Sequence, residues 1–376
     1  MTHVTHVTHV THVSDSTITG VRARRLDIPM RRAFGIAGGA QELARNVLVE
    51  ITLASGVRGW GEAAPLPPFN GETQAEALAA VAKAGPELVG EDVRAWRRLA
   101  ERIWSLSSSA SASCALETAV FDALARANGT SLHLHFGGAE QELVTDITIT
   151  TGTAEDASRD ALAHAAFSTL KIKVGGREGH DVDLDVARVL AVSAARSDAR
   201  LLLDANGGLS MDEALHLARE LRRRGVVPAL FEQPIAPGSW EAFAEVRAKS
   251  GLPVAIDESV TQAEDVIAAH RAGAADAANV KLMKSGIARA LDIVAATRAC
   301  GLLPMIGGMV EARLAMGTSA CLAAGLGGFA FIDLDTPLFL AEEPFDGGYV
   351  YRGERLDLSP IQKGHGCTPR EPWAEA

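Results

Sequence analysis

Five ionisable side chains follow one another along the chain at nearly even intervals, each at or near the end of a short apolar run. They are Lys173, Asp204, Glu232, Asp257 and Lys281, and successive members lie 31, 28, 25 and 24 residues apart. Each interval is about the length of one β-strand and one α-helix, so parallel strands would bring all five to one end of a sheet. Because an ionised group is costly to bury alone, the set must form ion pairs or bind a metal.

These residue types favour metal-assisted proton transfer. The three carboxylates are hard oxygen ligands of the kind that Mg²⁺ prefers. Lys171 and Lys173 are two positions apart on one strand and therefore point the same way, whereas Lys281 would come from the opposite side of the ring. Like charge and a nearby divalent cation are expected to lower the lysine pKa, which makes the neutral amine a base.

Two bases on opposite sides of a metal-held carbon could take an α-proton from one face and return it to the other. The metal would bind the substrate carboxylate and stabilise the enediolate that forms when the proton leaves. In the alternative interpretation, the acids and lysines are structural ion pairs in a non-enzymatic binding scaffold. Lys284, three positions beyond Lys281, is predicted to lie past the strand end in solvent.

The elements that must position these residues are eight short apolar runs, each followed by an amphipathic segment. The runs are Asp146–Thr150, Leu170–Val174, Leu201–Ala205, Ala229–Glu232, Val254–Asp257, Asn279–Leu282, Met305–Gly307 and Ala330–Leu334. Strands that alternate with helices are parallel, and eight such units predict a (β/α)8 barrel, whose active site lies at the C-terminal ends of its strands. No helical pattern follows Asp335, so the last unit is predicted to be incomplete.

The first third of the chain has a different pattern. Residues 17–30 and 46–53 alternate and are rich in β-branched residues, and Ser55-Gly56 predicts a turn into a third strand, so an antiparallel meander is expected. A helical, alanine-rich stretch follows. We therefore predict an α+β capping domain at residues 15–135, joined by a returning C-terminal segment at 345–376, and a barrel at 136–344. The four Thr-His-Val repeats in residues 1–14 predict a disordered tail.

Composition excludes several classes of function. The chain has 376 residues, a net charge of −11 and no basic stripe, so nucleic acid is not an expected partner. No apolar run reaches the roughly 18 residues needed to span a membrane. The four cysteines are scattered without a C-x-x-C pair, which is typical of reduced thiols in a cytoplasmic protein.

At the strand ends the sequence resembles the muconate-lactonizing subgroup of the enolase superfamily. The matching motifs are Lys171-Ile172-Lys173, Leu203-Asp204-Ala205-Asn206, Phe231-Glu232-Gln233-Pro234, Ile256-Asp257-Glu258-Ser259 and Val280-Lys281-Leu282-Met283-Lys284, with Gly59-Trp60-Gly61-Glu62-Ala63 in the first domain. The resemblance implies one Mg²⁺ per subunit on the three carboxylates and a homo-oligomer. It also implies that Lys173 serves the (R) centre, Lys281 serves the (S) centre and Lys171 contacts the substrate carboxylate.

The eighth strand narrows the resemblance to dipeptide epimerases of the L-Ala-D/L-Glu epimerase type. Asp333-Leu334-Asp335 is similar to their D-x-D motif, which receives the free α-ammonium of a dipeptide, and two carboxylates suit such a group. Thr148 matches a substrate-contacting threonine. The implied reaction is epimerisation of an L,L-dipeptide at the α-carbon of its C-terminal residue. The alternative for Asp333 and Asp335 is a solvated acidic turn before Pro337.

The sequence departs from this family pattern at one place, which bears on the second residue of the dipeptide. Members that prefer Ala-Glu carry an arginine in a first-domain loop, and Gly38 or Gly39 occupies that place here. Phe34, Ile36 and Phe69 suggest an apolar cover instead. A neutral or hydrophobic second residue is therefore predicted.

Other reactions could use the same metal and lysines. N-acylamino acid racemases, o-succinylbenzoate synthases and cycloisomerases differ only in the substrate pocket, where Asp333 and Asp335 favour the dipeptide. Acid-sugar dehydratases usually place a histidine on the seventh strand, and this one reads Met305-Ile306-Gly307-Gly308.

Overall fold

A computed structural model describes residues 14–36, 39–176 and 180–371. Within these ranges the side chains of residues 33–36, 39, 40, 68 and 69 are not described. The Thr-His-Val repeats and the side chains of Phe34, Ile36 and Phe69 therefore lie outside the described part of the protein, as does Gly38.

The chain begins with an antiparallel meander, as the sequence predicts. Its strands are β1 (Ile18–Ile36), β2 (Gly39–Leu53) and β3 (Arg58–Ala63), in the order β1-β2-β3. Gly56 has a positive φ of 78°, which lets the chain turn tightly between β2 and β3. The helices that follow are α1 (Pro67–Asn70), α2 (Gln74–Leu88), α3 (Trp96–Leu106), α4 (Ala110–Ala127) and α5 (Leu132–His135).

The largely buried helix α4 packs closely against β3. Gly59 and Gly61 of β3 lie under Ala119 and Ala115 of α4, where a Cβ on either glycine would clash with the helix backbone. The small residues on both sides let a helix and a strand approach closely and close the apolar core of this domain.

A short strand, β4 (Glu142–Val144), leads into an eight-stranded parallel sheet. The sheet strands are β5 (Ile147–Ile149), β6 (Thr169–Lys173), β7 (Arg200–Asp204), β8 (Leu230–Glu232), β9 (Val254–Ile256), β10 (Ala277–Lys281), β11 (Leu303–Gly307) and β12 (Phe331–Ile332). Each of the eight predicted runs overlaps one of these strands. The first and last strands meet, because Asp146 N donates to Ile332 O at 2.9 Å and Leu334 N donates to Thr145 Oγ1 at 2.9 Å. These bonds close the barrel.

Helices alternate with the strands, as expected for parallel neighbours. They are α6 (Ala154–Ala163), α7 (Val182–Ala195), α8 (Met211–Arg223), α9 (Trp240–Ser250), α10 (Ala263–Ala272), α11 (Leu282–Ala299) and α12 (Arg313–Leu326). After β12 the only helical structure in the described chain is a 3₁₀ turn at Thr336–Phe339. The predicted incomplete last unit is therefore confirmed. None of the helices in the described ranges is long and apolar enough to cross a bilayer.

The C-terminal segment contributes β13 (Phe345–Gly347), β14 (Val350–Arg352), β15 (Arg355–Asp357) and β16 (Cys367–Pro369). Strand β13 pairs with β16, and β15 pairs with β14 on one side and with β4 on the other. The segment also touches the first domain, since His365 N donates to Asp122 Oδ1 at 2.9 Å and Leu132 N donates to Gly364 O at 2.7 Å. The domain boundaries themselves stay a prediction.

Two buried glutamates of the first domain hold the N-termini of two barrel helices. Glu62 accepts from Ala312 N at 2.8 Å and from Ala315 N at 3.2 Å at the start of α12. Glu117 accepts from Ala288 N in α11, directly after a kink at Gly286. Unpaired N–H groups at a helix start bind a carboxylate well. These contacts fix the capping domain over the C-terminal end of the barrel.

Candidate active site

The strand register places three of the predicted residues on one level of the barrel. Lys173 is paired with Asp204, and Asp204 is paired with Glu232, each at the last position of its strand. Lys281 ends β10, and Asp257 directly follows β9. All five residues are buried. The structure thus brings the whole predicted set to the C-terminal end of the sheet, where these barrels build their active sites.

Each lysine lies against a carboxylate. Lys173 Nζ is 2.6 Å from Asp204 Oδ2, and Lys281 Nζ is 2.6 Å from Asp257 Oδ2. Lys171 Nζ contacts Asp333 and lies 3.4 Å from Asp204 Oδ2. The lysines of β6 and β10 therefore flank the carboxylates from two sides, which is the arrangement that two-base chemistry needs.

The prediction of a solvated Lys284 is wrong. Its side chain is 8% exposed, and its Nζ is 2.6 Å from Asp257 Oδ1. It also donates to the backbone carbonyl groups of Asp257 and Asn279. The physical reason is that α11 begins immediately after Lys281, so a step of three residues is nearly one helical turn and returns the side chain to the site. Asp257 is consequently held by two lysines.

The three carboxylates have the character of a cation site. Glu232 is fully buried, and its Oε1 accepts from Asn279 Nδ2 at 2.6 Å. Its Oε2 has no hydrogen-bond partner among the described residues, and Lys171 Nζ is 3.8 Å away. Burial, with Asp204 beside it, raises the pKa of Glu232 to about 8. A buried oxygen without a donor is costly, and a hard cation on Asp204, Glu232 and Asp257 would satisfy it.

The pKa values of Lys171 and Lys281 shift upward under the protein's own charges, opposite to the predicted direction. Burial lowers the pKa of Lys281, but the attraction of Asp257, Glu232 and Glu258 outweighs it, so the pKa lies above its usual value. Lys171 behaves in the same way, with Asp333 as its main attracting partner. A divalent cation on the carboxylates would offset this attraction and act in the opposite direction.

Asn206 and Gln233, to which the strand spacing assigns no role, position the carboxylates. Asn206 Oδ1 accepts from Lys173 Nζ at 3.1 Å, and its backbone N–H donates to Asp204 Oδ1 at 3.0 Å. Gln233 Oε1 accepts from Asp257 N at 2.8 Å. Both residues have positive φ, 45° for Asn206 and 36° for Gln233, a costly conformation that tends to occur at functional sites. The available signal in the sequence is their place within the strand-end motifs.

Asp333 and Asp335 are 5% and 0% exposed, so the alternative of a solvated acidic turn does not hold. Asp335 Oδ2 accepts from Thr148 N at 2.6 Å. Burial, with Asp333 beside it, raises the pKa of Asp335 to about 6. Both carboxyl groups and Thr148 line one cavity with the three site lysines of β6 and β10. Its apolar lining, which no sequence motif singles out, comes from Leu66, Met309 and Val310.

Comparisons with known proteins agree with this geometry. Residues 18–137 match the N-terminal domain of the mandelate racemase / muconate lactonizing enzyme family, and residues 153–373 match the enolase C-terminal domain-like family. The aromatic dipeptide epimerase of Herpetosiphon aurantiacus is 45% identical over 354 residues, which are 94% of this chain and 99% of that protein. The L-Ala-D/L-Glu epimerase of Thermotoga maritima is 37% identical over 344 residues, 91% of this chain and 98% of that protein.

One solved structure of a similar protein contains a bound dipeptide and Mg. The crystal structure of a dipeptide epimerase from Enterococcus faecalis V583, complexed with Mg and the dipeptide L-Leu-L-Tyr, superposes with a TM-score of 0.88 at 29% identity. The superposition covers 94% of this chain and 99% of that one. The chain belongs to the mandelate racemase/muconate lactonizing enzyme family of the enolase superfamily.

Proposed function

We propose that this protein is a Mg²⁺-dependent dipeptide epimerase, an isomerase that moves the α-proton of the C-terminal residue of an L,L-dipeptide. The observation that carries the proposal is the combination of two lysines flanking three carboxylates with the buried pair Asp333 and Asp335 on the same cavity. The first part suits proton transfer next to a carboxylate, and the second suits a free ammonium group. The family membership and the relatives' activities support it.

Lys173 and Lys281 are the two bases in this proposal. One takes the α-proton as its neutral amine and the other returns a proton to the opposite face, so the configuration inverts. By resemblance, Lys173 serves the (R) centre and Lys281 the (S) centre. By the same resemblance, Lys171, whose Nζ lies 3.4 Å from Asp204 Oδ2, contacts the substrate carboxylate.

Asp204, Glu232 and Asp257 would hold one Mg²⁺ per subunit. The ion would supply positive charge next to the substrate carboxylate, where negative charge grows as the enediolate forms. Asn206 and Gln233 keep two of these carboxylates oriented.

The second residue of the dipeptide is neutral or hydrophobic in this proposal. Leu66, Met309 and Val310 supply apolar surface to the cavity. The aromatic dipeptide epimerase is the more similar of the two relatives named above, at 45% against 37% identity. We also place the protein in the cytoplasm, acting on a small molecule rather than on nucleic acid or a membrane, and as a homo-oligomer.

The test is α-deuterium exchange into a dipeptide library in D2O with Mg²⁺, read by mass. We expect exchange into dipeptides with a neutral or hydrophobic second residue. Lys173→Ala and Lys281→Ala should each lose at least about 10³-fold in epimerisation, because each removes a proton carrier. Lys249→Ala is the matched control, since Lys249 is exposed and forms a surface pair with Glu245.

Several outcomes would count against the proposal. Exchange that survives in both lysine variants would contradict the two-base mechanism. Turnover confined to Glu or Asp in the second position would contradict the apolar specificity. Asp333→Asn and Asp335→Asn should mainly weaken binding of free-amine dipeptides, and no effect would favour an N-acylamino acid racemase or another reaction of this superfamily.

A further inference from the structure

A third buried carboxyl group lies beneath the Asp333 and Asp335 pair. One oxygen of Asp146 lies within 4.8 Å of an oxygen from each of the other two. Asp146 is 2% exposed, and its backbone is fixed at the seam of the barrel, where its N–H donates to Ile332 O. Neither the strand-end spacing nor the family motifs single it out, since it precedes β5 rather than ending it.

The three carboxyl groups differ in the contacts that stabilise them. Lys171 contacts Asp333, and Thr148 N donates to Asp335 Oδ2. Both oxygens of Asp146 and Oδ1 of Asp335 have no hydrogen-bond partner among the described residues. A buried carboxylate without any donor is the least stable anion of the three, so Asp146 is the natural holder of a proton.

The balance of charge around the three acids also indicates that one of them holds a proton. Three carboxylates would face two cations, the Lys171 ammonium and the substrate ammonium, with Glu232 adding further negative charge nearby. One proton on the three acids balances them. Burial, followed by repulsion from Asp333, raises the pKa of Asp146 well above its usual range, and Lys171 opposes this only in part.

The position of Asp146 is below the substrate cavity rather than on it. Asp333, Asp335 and Lys171 line the active-site cavity. Asp146 instead lines a separate cavity of about 310 Å³ at the N-terminal end of the barrel, together with Thr169 and Arg200. It would therefore act on a substrate through its two carboxylate neighbours, over a distance that a side-chain rotation or one water spans.

We propose that Asp146 is a positioning residue of the ammonium subsite, a neutral acid whose O–H donates to Asp333 or Asp335 and holds them for a free α-amino group. This inference rests on the proposed function. It identifies Asp146 as a residue that helps the enzyme prefer substrates with a free amine. A metal ion at the three acids is the competing occupant, but Lys171 already lies against Asp333. A cation there would sit beside an ammonium group.

The experiment compares Asp146→Leu, which removes the donor, with Asp146→Asn, a neutral isostere that keeps one. Epimerisation of L-Ala-L-Phe is followed by α-deuterium exchange, and propionyl-L-Phe, which lacks the ammonium, serves as a competitive inhibitor. In Asp146→Leu we expect KM to rise about tenfold or more, with kcat within about threefold. The inhibition constant of propionyl-L-Phe should stay within about threefold. Asp146→Asn should keep KM within about threefold of the wild type.

Three results would overturn the inference while the proposed function stands. They are an unchanged KM in Asp146→Leu, a parallel loss of propionyl-L-Phe inhibition, and an Asn variant as impaired as the Leu variant. A loss of Mg²⁺ affinity confined to the Asp146 variants would show a metal site instead and also overturn it. If Asp146→Leu does not fold, the Asn variant decides alone. If the wild type exchanges no free-amine dipeptide, the proposed function fails and the inference fails with it.

Discussion

Lysine side chains at the C-terminal end of the barrel form ion pairs with the buried carboxylates, and Lys284 of α11 is one of these lysines. Asp257 is fully buried and lies 2.6 Å from both Lys281 and Lys284. Two cations on one carboxylate outweigh its burial and lower its pKa below the usual value. Lys284 is therefore part of the structure of the site and not a surface residue.

Lys284→Met tests this at the residue scale. Removing one partner of a buried ion pair typically costs about 3–5 kcal/mol, and Asp257 keeps Lys281, so we expect a loss of about 2 kcal/mol in the free energy of unfolding. Lys249→Met, at an exposed pair, should cost under about 0.5 kcal/mol. Urea unfolding measures both. Equal small losses would mean that Lys284 is solvated after all.

Residue by residue, the sequence predicts the features that strand spacing determines and misses those that depend on tertiary contact. The strand-end set from Lys173 to Lys281 is predictable because one βα unit fixes each interval. Lys284 is misjudged because the start of α11 cannot be located to within one residue from its pattern. Asp146 is missed because its importance lies in two carboxyl groups that are about 190 residues away in sequence.

At the scale of elements, the parallel strands and the lack of an eighth barrel helix in the described chain are predictable because apolar runs repeat with a regular period. The carboxylates that cap α11 and α12 cannot be predicted in this way, since they come from the first domain. Glu62 is fully buried, and burial outweighs its hydrogen bonds from Ala312, Asn46 and Ala315, which raises its pKa to about 7 from 4.5.

This shift predicts how stability depends on pH. A carboxyl group whose pKa is raised on folding binds its proton more tightly in the folded state, so its contribution is complete below about pH 4.5 and is lost as the pH rises through 7. Against Glu62→Gln, which does not titrate there, the wild type should lose roughly 3 kcal/mol of relative stability between pH 4.5 and 8. Thermal unfolding of both proteins across that range measures the difference. A difference that is constant or grows with pH would contradict the burial argument.

At the scale of the whole molecule, the capping domain and the barrel enclose the site jointly. Leu66 of the first domain and Val310 of the barrel line the same cavity, and Glu62 joins the two parts beside it. The first domain adds the apolar side chain of Leu66, and the barrel supplies Met309, Val310 and the charged residues. The three carboxylates at the barrel end are costly unless neutralised, so a cation bound there should stabilise the entire fold.

Mg²⁺ should therefore raise the melting temperature, because an ion that binds only the folded state stabilises it by about 2.7 kcal/mol at a hundredfold excess over its Kd. Glu232→Gln should abolish most of this increase, since Glu232 Oε2 is the buried oxygen without a donor among the described residues. Asp335→Asn should keep it, because Asp335 belongs to the proposed ammonium subsite and accepts a hydrogen bond from Thr148 N. Scanning calorimetry with Mg²⁺ and with EDTA measures the shift in each protein. If Asp335→Asn loses the shift and Glu232→Gln keeps it, the metal occupies the cluster of Asp146, Asp333 and Asp335, and the roles assigned to the two groups of carboxylates would have to be exchanged.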